Sequence, residues 1–291
     1  MTAQPCPGCG RPVDRGDVAC ASCGAQLRAI PFPAVHSSTV EAPTGGARSP
    51  DGRSYWNGVQ WVPLRGSTAI RWTVPWHWID VVGYLAVLAL ILFGPRLLLS
   101  GHPVTATLAG TLQVVLYLLL LALLVAVVHR RGGSLADLGW RRVRLSWIAA
   151  APLIYLGGLA IEVILERVTV LILGHTPGNT QCAGVQFELG SAAPLIIISA
   201  VVLAPLVEES IIRGFLFPAL RTVWSFWPAA LLSAVVWSGG HVLLFAFLPF
   251  TGLGVLFAYL RERTGSIWPS VAVHAITNTF ALVVIFNNGC R

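Results

Sequence analysis

Two adjacent glutamates, Glu208 and Glu209, stand inside a long aliphatic stretch of the chain, and Arg213 follows on the same stretch. A charged side chain at the centre of a membrane helix costs about 2.5–3.5 kcal/mol on insertion scales, so paired carboxylates there indicate a buried, functional site. Glu209 and Arg213 are spaced i, i+4 and can pair on one helix face. Glu208 is turned about 100° away from Glu209. We therefore predict that the chemistry begins at Glu208.

Two further polar clusters interrupt apolar stretches, and each has i, i+4 spacing. One joins Trp237 to His241, and the other joins His274 to Asn278. At a helical rise of 1.5 Å per residue, Glu208, His241 and His274 lie about 20, 21 and 15 Å from the cytosolic ends of their helices. All three are therefore predicted near the middle of a bilayer, where they can meet in one site.

The composition is that of a membrane protein. The chain of 291 residues is 55% apolar and 11% charged, which is outside the range of a soluble domain of this length. Its net charge of +7 is not read as a nucleic-acid signal, because the arginines cluster at the ends of apolar segments. We predict an all-α polytopic fold of about seven transmembrane helices. The predicted spans lie at about 78–99, 106–129, 147–173, 192–220, 227–247, 249–261 and 267–287.

The arginines predict the orientation of these spans. One short loop holds five of them, and two other loops hold three more: Arg130, Arg131, Arg141, Arg142, Arg144, Arg221, Arg261 and Arg263. The positive-inside rule places those loops in the cytosol. We therefore expect a multi-pass protein of the bacterial cell membrane with a cytosolic N-terminus and an external C-terminus.

The N-terminal residues 1–28 are predicted to form a small zinc ribbon. Two CxxC knuckles supply four thiolates for a tetrahedral site: Cys6, Cys9, Cys20 and Cys23. Such a set suits a structural Zn²⁺, because all four positions are filled by protein. The free energy of zinc binding would fold a segment too short to have a core of its own. The favoured role of this ribbon is that of a small structural domain that binds a protein partner.

Residues 29–49 are rich in Pro, Ser, Thr and Gly and predict a flexible linker. The next module, 50–65, contains Asn57-Gly58 between aromatic residues, which predicts a two-residue hairpin turn. It resembles a short tryptophan-containing domain found ahead of membrane segments in actinobacterial proteins. An aromatic hairpin lying at the membrane interface is the alternative interpretation.

Two other pairs of residues leave alternatives open. Cys182 and Cys290 are both predicted on the external side, where they form either a disulfide with each other or two unrelated thiols. Glu162 and Glu166 are spaced i, i+4 on the third span. They either line a substrate path or serve packing and the membrane interface.

The ordered motifs Glu-Glu-x-x-x-Arg, a helix ending in His241, and His-x-x-x-Asn resemble the CPBP family. This Abi/CAAX group of intramembrane proteases includes the CAAX prenyl endopeptidase of Ras-type proteins. The resemblance covers about residues 130–287, within a predicted membrane core of 76–288. Trp237 stands where the family usually has phenylalanine, and the larger ring is expected to narrow the pocket beside His241.

The resemblance implies an intramembrane endopeptidase acting on a membrane-associated peptide or protein and embedded in membrane lipid. Glu208 would activate water together with His241, and His274 with Asn278 would stabilise the oxyanion. Glu209 with Arg213 would brace the helix and keep a positive charge near the site. A metal-dependent version is the alternative, since one glutamate and two histidines form an acceptable zinc set. The rival function is a non-catalytic scaffold or a bacteriocin-immunity protein that retains the fold.

Overall fold

The computed structural model describes residues 72–98, 105–175, 180–241, 243 and 245–288, together with four short strands nearer the N-terminus. The chain divides into two units, Met1–Ile70 and Arg71–Arg291. In the first unit, β1 (Gln4–Pro5) pairs antiparallel with β2 (Pro12–Val13), and β3 (Ser54–Trp56) with β4 (Trp61–Pro63). The four cysteines of the predicted zinc ribbon lie outside the described residues, so the ribbon stays a prediction.

The register of β3 and β4 differs from the two-residue turn predicted at Asn57-Gly58. Trp56 pairs with Trp61, which leaves residues 57–60 between the paired ends. Those connecting residues lie outside the described part of the chain. The pairing places Tyr55 opposite Val62 and Ser54 opposite Pro63.

All the secondary-structure elements described in the second unit are helices, joined by turns and loops. Its α-helices are α1 (Trp78–Leu98), α2 (Ala106–Arg130), α3 (Leu145–Ala149), α4 (Ala151–Leu173), α5 (Thr180–Ile197), α6 (Ala204–Glu209), α7 (Phe217–Arg221), α8 (Phe226–Gly240), α9 (Phe247–Thr264) and α10 (Trp268–Asn288). Two π-helical segments, Ile198–Leu203 and Ser210–Leu216, connect α5 to α6 and α6 to α7.

Three helices among the described residues are long and apolar enough to cross a membrane: Ala106–Arg130, Ala192–Arg221 and Trp268–Asn288. They confirm three of the predicted spans, and the count of seven is not supported. The helix α4 is too charged to be a candidate span, because Glu162, Glu166 and Arg167 interrupt it. The helix α9 is also too charged, because it ends in a charged turn. Phe226–Gly240 and the part Trp78–Ile91 of α1 are apolar stretches below the length needed to cross a membrane.

The span Ala192–Arg221, which we call the core helix, lies at the centre of the unit. Half of its most apolar stretch of 18 residues is buried, compared with 17% and 22% of the corresponding stretches in the other two candidate spans. It begins at a kink, where Ala192 has non-helical torsions (φ −141°, ψ 35°) just before Pro194. Pro194, two residues later, has no backbone N–H to donate, and its ring clashes with the carbonyl four residues earlier in a continuous helix, which favours a break here.

The helices around the core helix expose large apolar side chains, as lipid-facing helices do. The most exposed include Ile79, Leu90, Leu153, Leu171 and Phe286. On the inner side, α8 and α9 approach closely at Gly254, where a Cβ would lie 2.6 Å from the Cβ of Ala234 and 2.9 Å from its Cα. Small residues permit this close approach of two membrane helices.

Ion pairs tie the helix ends on the predicted cytosolic side. Arg131, just after α2, donates two hydrogen bonds of 2.9 Å to Asp80 at the start of α1. Those bonds raise the pKa of the Arg131 guanidinium above its usual value. Arg221 makes a similar two-bond pair with Glu262 at the end of α9, with distances of 3.0 and 2.8 Å.

Gly254→Ala is predicted to destabilise the protein by about 1–3 kcal/mol, because the new methyl group overpacks the contact between α8 and α9. Thermal unfolding of the purified protein in detergent micelles measures the loss. Gly157→Ala in α4 is the matched control, since a Cβ there meets nothing within 4 Å. Equal midpoints for the two variants would contradict the close approach.

Candidate active site

Glu208 stands on α6 with its carboxylate held by two donors from different helices. The Nε1–H of Trp237 on α8 donates to Oε2 at 2.7 Å, and the hydroxyl of Tyr117 on α2 donates to Oε1 at 3.1 Å. The side chain is 20% exposed, whereas that of Glu209 is fully buried. Glu208 is therefore the carboxylate of the pair that a small molecule can still reach.

Glu209 and Arg213 form the ion pair that their spacing predicts. The Nη1 of Arg213 lies 3.0 Å from Oε1 of Glu209, and both side chains are 0% exposed. The other end of the guanidinium donates to the carbonyl of Gly254 at 3.0 Å. Its carbon lies 4.9 Å from the Trp237 ring centroid and 5.1 Å from that of Phe257, so two aromatic faces flank the cation.

His274 on α10 lies between the two carboxylates. Its Nδ1 is 3.3 Å from Oε1 of Glu209, and its Nε2 is 3.9 Å from Oε2 of Glu208. A carboxylate can only accept, so the Nδ1 proton points to Glu209. The ring stacks on Phe257 with centroids 5.5 Å apart, which fixes its plane. Nε2 is left facing Glu208.

His241 caps the C-terminal end of α8, and its Nδ1 lies 3.0 Å from the carbonyl of Trp237. Because a carbonyl can only accept, Nδ1 carries the proton, and in the neutral ring Nε2 keeps its lone pair. The ring packs edge-on against Trp237 and Phe250, at 5.1 and 4.8 Å. His241 also interacts electrostatically with Glu208.

Asn278 lies one turn beyond His274, but its side chain reaches the core helix. Its Nδ2 donates to the carbonyl of Ala200 at 2.7 Å, within the first π-helical segment. The structure thus brings Glu208, Glu209, Arg213, His241 and His274 into one cluster. It connects Asn278 to the backbone that leads into this cluster.

Sequence reasoning missed two contributions to the site. Tyr117 carries the one phenol in the leucine-rich helix α2, and that isolated polar group was the available signal. Trp237 was read as a bulky aromatic, yet its indole N–H binds Glu208, which a phenylalanine could not do. Glu162 is half-buried and Glu166 exposed on α4, and their proposed place on a substrate path stays a prediction.

No group of three or more His, Cys, Asp or Glu side chains within the described residues is arranged to hold a metal ion. Both oxygens of Glu208 already accept hydrogen bonds, and Nδ1 of His241 is committed to a carbonyl. The choice between the glutamate-and-water mechanism and the metal-dependent one stays a prediction.

The fold and the site define a helical membrane protein with a buried centre of glutamate, histidine and arginine. Residues 190–280 match the Rce1-like family, described as type II CAAX prenyl endopeptidase Rce1-like. The matched residues contain the whole cluster of Glu208, Glu209, Arg213, His241 and His274 and make up about a third of the chain.

The chain is also similar to a curated bacterial protein, "Putative membrane peptidase YdiL" of Bacillus subtilis (strain 168). The two are 34% identical over 112 residues, which are 38% of this chain and 45% of that protein. The chain thus matches less than half the length of this relative. No solved structure matches the chain.

Glu209→Gln and Arg213→Met are each predicted to destabilise the protein by about 3–5 kcal/mol, because each leaves a buried charge without its partner. The double variant Glu209→Met/Arg213→Met is expected to lose less than the sum of the two. Thermal unfolding and the abundance of folded protein in membranes measure both effects.

Arg141→Met is the matched control, since Arg141 and Asp137 form an exposed i, i+4 pair at 3.8 Å. Its loss should stay below about 1 kcal/mol. Additive losses in the double variant would show that Glu209 and Arg213 do not depend on each other.

Proposed function

We propose that this protein is an intramembrane endopeptidase that hydrolyses peptide bonds of a membrane-associated substrate, with Glu208 as the general base. The observation that carries the proposal is the held, partly exposed carboxylate of Glu208 beside two histidines. Hydrogen bonds from Trp237 and Tyr117 hold the Glu208 carboxylate in one orientation, so its remaining lone pairs keep one direction. The match of residues 190–280 to the Rce1-like family and the similarity to a putative membrane peptidase support the reaction class.

In the proposed reaction, a water lies between Glu208 and Nε2 of His241. Glu208 takes a proton from the water as its oxygen attacks the carbonyl carbon of the substrate. The carbon–nitrogen bond then breaks, as the proton taken by Glu208 moves to Nε2 of His241 and from there to the leaving amine. The products are a carboxylic acid and an amine, so one water is consumed for each bond cleaved.

The negative charge on the tetrahedral oxygen needs a donor or a positive charge within the same site. In its doubly protonated form, His274 is the candidate donor through Nε2, which faces Glu208 while Nδ1 donates to Glu209. Arg213 adds a buried positive charge on the far side of Glu209. No step in this scheme requires a metal ion.

The substrate class follows from the location of the site. The cluster lies on membrane helices, so the scissile bond reaches it laterally from the lipid or from the cytosolic side. The prenylated C-termini cut by eukaryotic relatives are not carried over, because bacteria largely lack CAAX prenylation.

Cys182 is disulfide-bonded, which supports an external location for its segment, and its pairing with Cys290 stays a prediction.

Glu208→Gln is predicted to abolish cleavage while the protein stays folded, because the amide keeps the shape but cannot take a proton from water. New peptide termini are mapped in membranes of cells carrying either the wild type or the variant. Termini that vanish in the variant identify the substrate. Glu166→Gln, an exposed glutamate on α4, is the control and should leave the termini unchanged. Identical termini in wild type and Glu208→Gln would favour the scaffold or immunity function.

A separate measurement tests whether the active site binds a catalytic zinc ion. Zinc bound per chain is measured in the wild type and in His241→Ala, so that any metal held by the N-terminal cysteines cancels in the comparison. We expect the two counts to be equal, because the site's side chains are not arranged as a metal set. A loss of about one zinc per chain in the variant would show a catalytic metal.

A further inference from the structure

Both π-helical segments of the core helix are followed by a proline. In the first, the N–H of Ala204 bonds to the carbonyl of Ser199, five residues earlier. In the second, the N–H of Phe217 bonds in the same register to the carbonyl of Ile212. The next donor in each series is Pro205 or Pro218, and proline has no N–H.

Each proline therefore leaves one carbonyl without its donor in the π register: that of Ala200 in the first segment and that of Arg213 in the second. Water is absent from the core of a bilayer, so such a carbonyl needs a partner from elsewhere in the protein. Both carbonyls receive one from a side chain of a neighbouring helix.

Asn278 of α10 supplies the first partner, with its Nδ2 at 2.7 Å from the carbonyl of Ala200. Arg261 of α9 supplies the second, with its Nε at 3.2 Å from the carbonyl of Arg213. The Arg261 side chain is buried against the Trp72 ring, 4.7 Å from its centroid. It also packs on Gly139, where a Cβ would come within 2.8 Å of the guanidinium.

The two contacts lie on either side of the helical turn that carries Glu208 and Glu209, because this turn lies between the two π-helical segments. We propose that Asn278 is a positioning residue: it completes the backbone hydrogen bonding that Pro205 leaves open, and thereby fixes the rotation of α6 that aims Glu208. Arg261 plays the same part at the other end of the turn. This assignment rests on the proposed function, and the oxyanion role that the resemblance implies for Asn278 stays a prediction.

A cycle of variants tests the assignment. Pro205→Ala restores a backbone N–H beside the carbonyl of Ala200, so Asn278 should become dispensable in that background. In the protein with Pro205, Asn278→Ala is expected to lower Tm by about 2–4 °C. It should also lower kcat about tenfold with little change in KM, since positioning acts on the reacting groups. In the Pro205→Ala background both losses should shrink severalfold.

The cleavage assay uses the synthetic peptide spanning a site identified by its dependence on Glu208, and the Tm measurement needs no substrate. Asn287→Ala is the matched control, because its Nδ2 also bonds to a backbone carbonyl of α10 at 2.8 Å but faces outward. Its effect should be small and equal in both backgrounds.

Equal Tm losses for Asn278→Ala in both backgrounds would overturn the pairing of Asn278 with the open carbonyl. Asn278→Ala could instead lower Tm less in the Pro205→Ala background but lower kcat equally in both backgrounds. That result would overturn the positioning role and place Asn278 on the reacting atoms. A folded but inactive Pro205→Ala protein would support the view that this segment aims Glu208, and the Tm cycle would then decide the part of Asn278. Failure of the proposed function would leave the Tm cycle intact, so the two failures are distinguishable.

Discussion

The ion pair between Glu209 and Arg213 is the constraint on which the centre of this protein depends. Two fully buried charges are stable only where the geometry is good and the remaining donors find partners. The carbonyl of Gly254 and the rings of Trp237 and Phe257 meet part of that need. Nε of Arg213 and Oε2 of Glu209 have no hydrogen-bond partner among the described residues. The pair therefore determines how closely α8 and α9 must approach the core helix.

The same packing builds the site, because several side chains serve the ion pair and the reactive groups together. Trp237 covers Arg213 with its ring face and holds Glu208 with its N–H. Phe257 lies against Arg213 and also stacks on His274. His274 touches Glu209 through one nitrogen and faces Glu208 with the other. A change at the pair would thus be felt at Glu208, although Glu209 itself is out of reach of a substrate.

The core helix is irregular where it carries function. Prolines 205 and 218 each follow a π-helical segment, and such segments are frequent at functional sites. Open carbonyls at this depth must be satisfied by side chains, which fixes the neighbouring helices α9 and α10 in register. Local backbone chemistry and tertiary packing are therefore linked at the turn that presents Glu208.

Hydrophobicity and i, i+4 spacing are local properties of a chain, and they were enough to predict the class of protein, the three confirmed spans and the pairing of Glu209 with Arg213. The sequence also singled out Glu208, His241 and His274, since polar groups at membrane depth are rare. The predicted count of seven spans is not supported, since three helices among the described residues are long and apolar enough to cross a membrane. A hydrophobic stretch in a sequence does not show where a helix begins and ends.

Only the tertiary structure decided which groups meet. Tyr117 is far from Glu208 in the chain, and no spacing rule connects them. The donation from Trp237 to Glu208 required the crossing of α8 over the core helix. The contact of Asn278 with Ala200 depends on a carbonyl left open by a proline in another helix. Such contacts arise from the packing of separate elements, and no local pattern of residues records them.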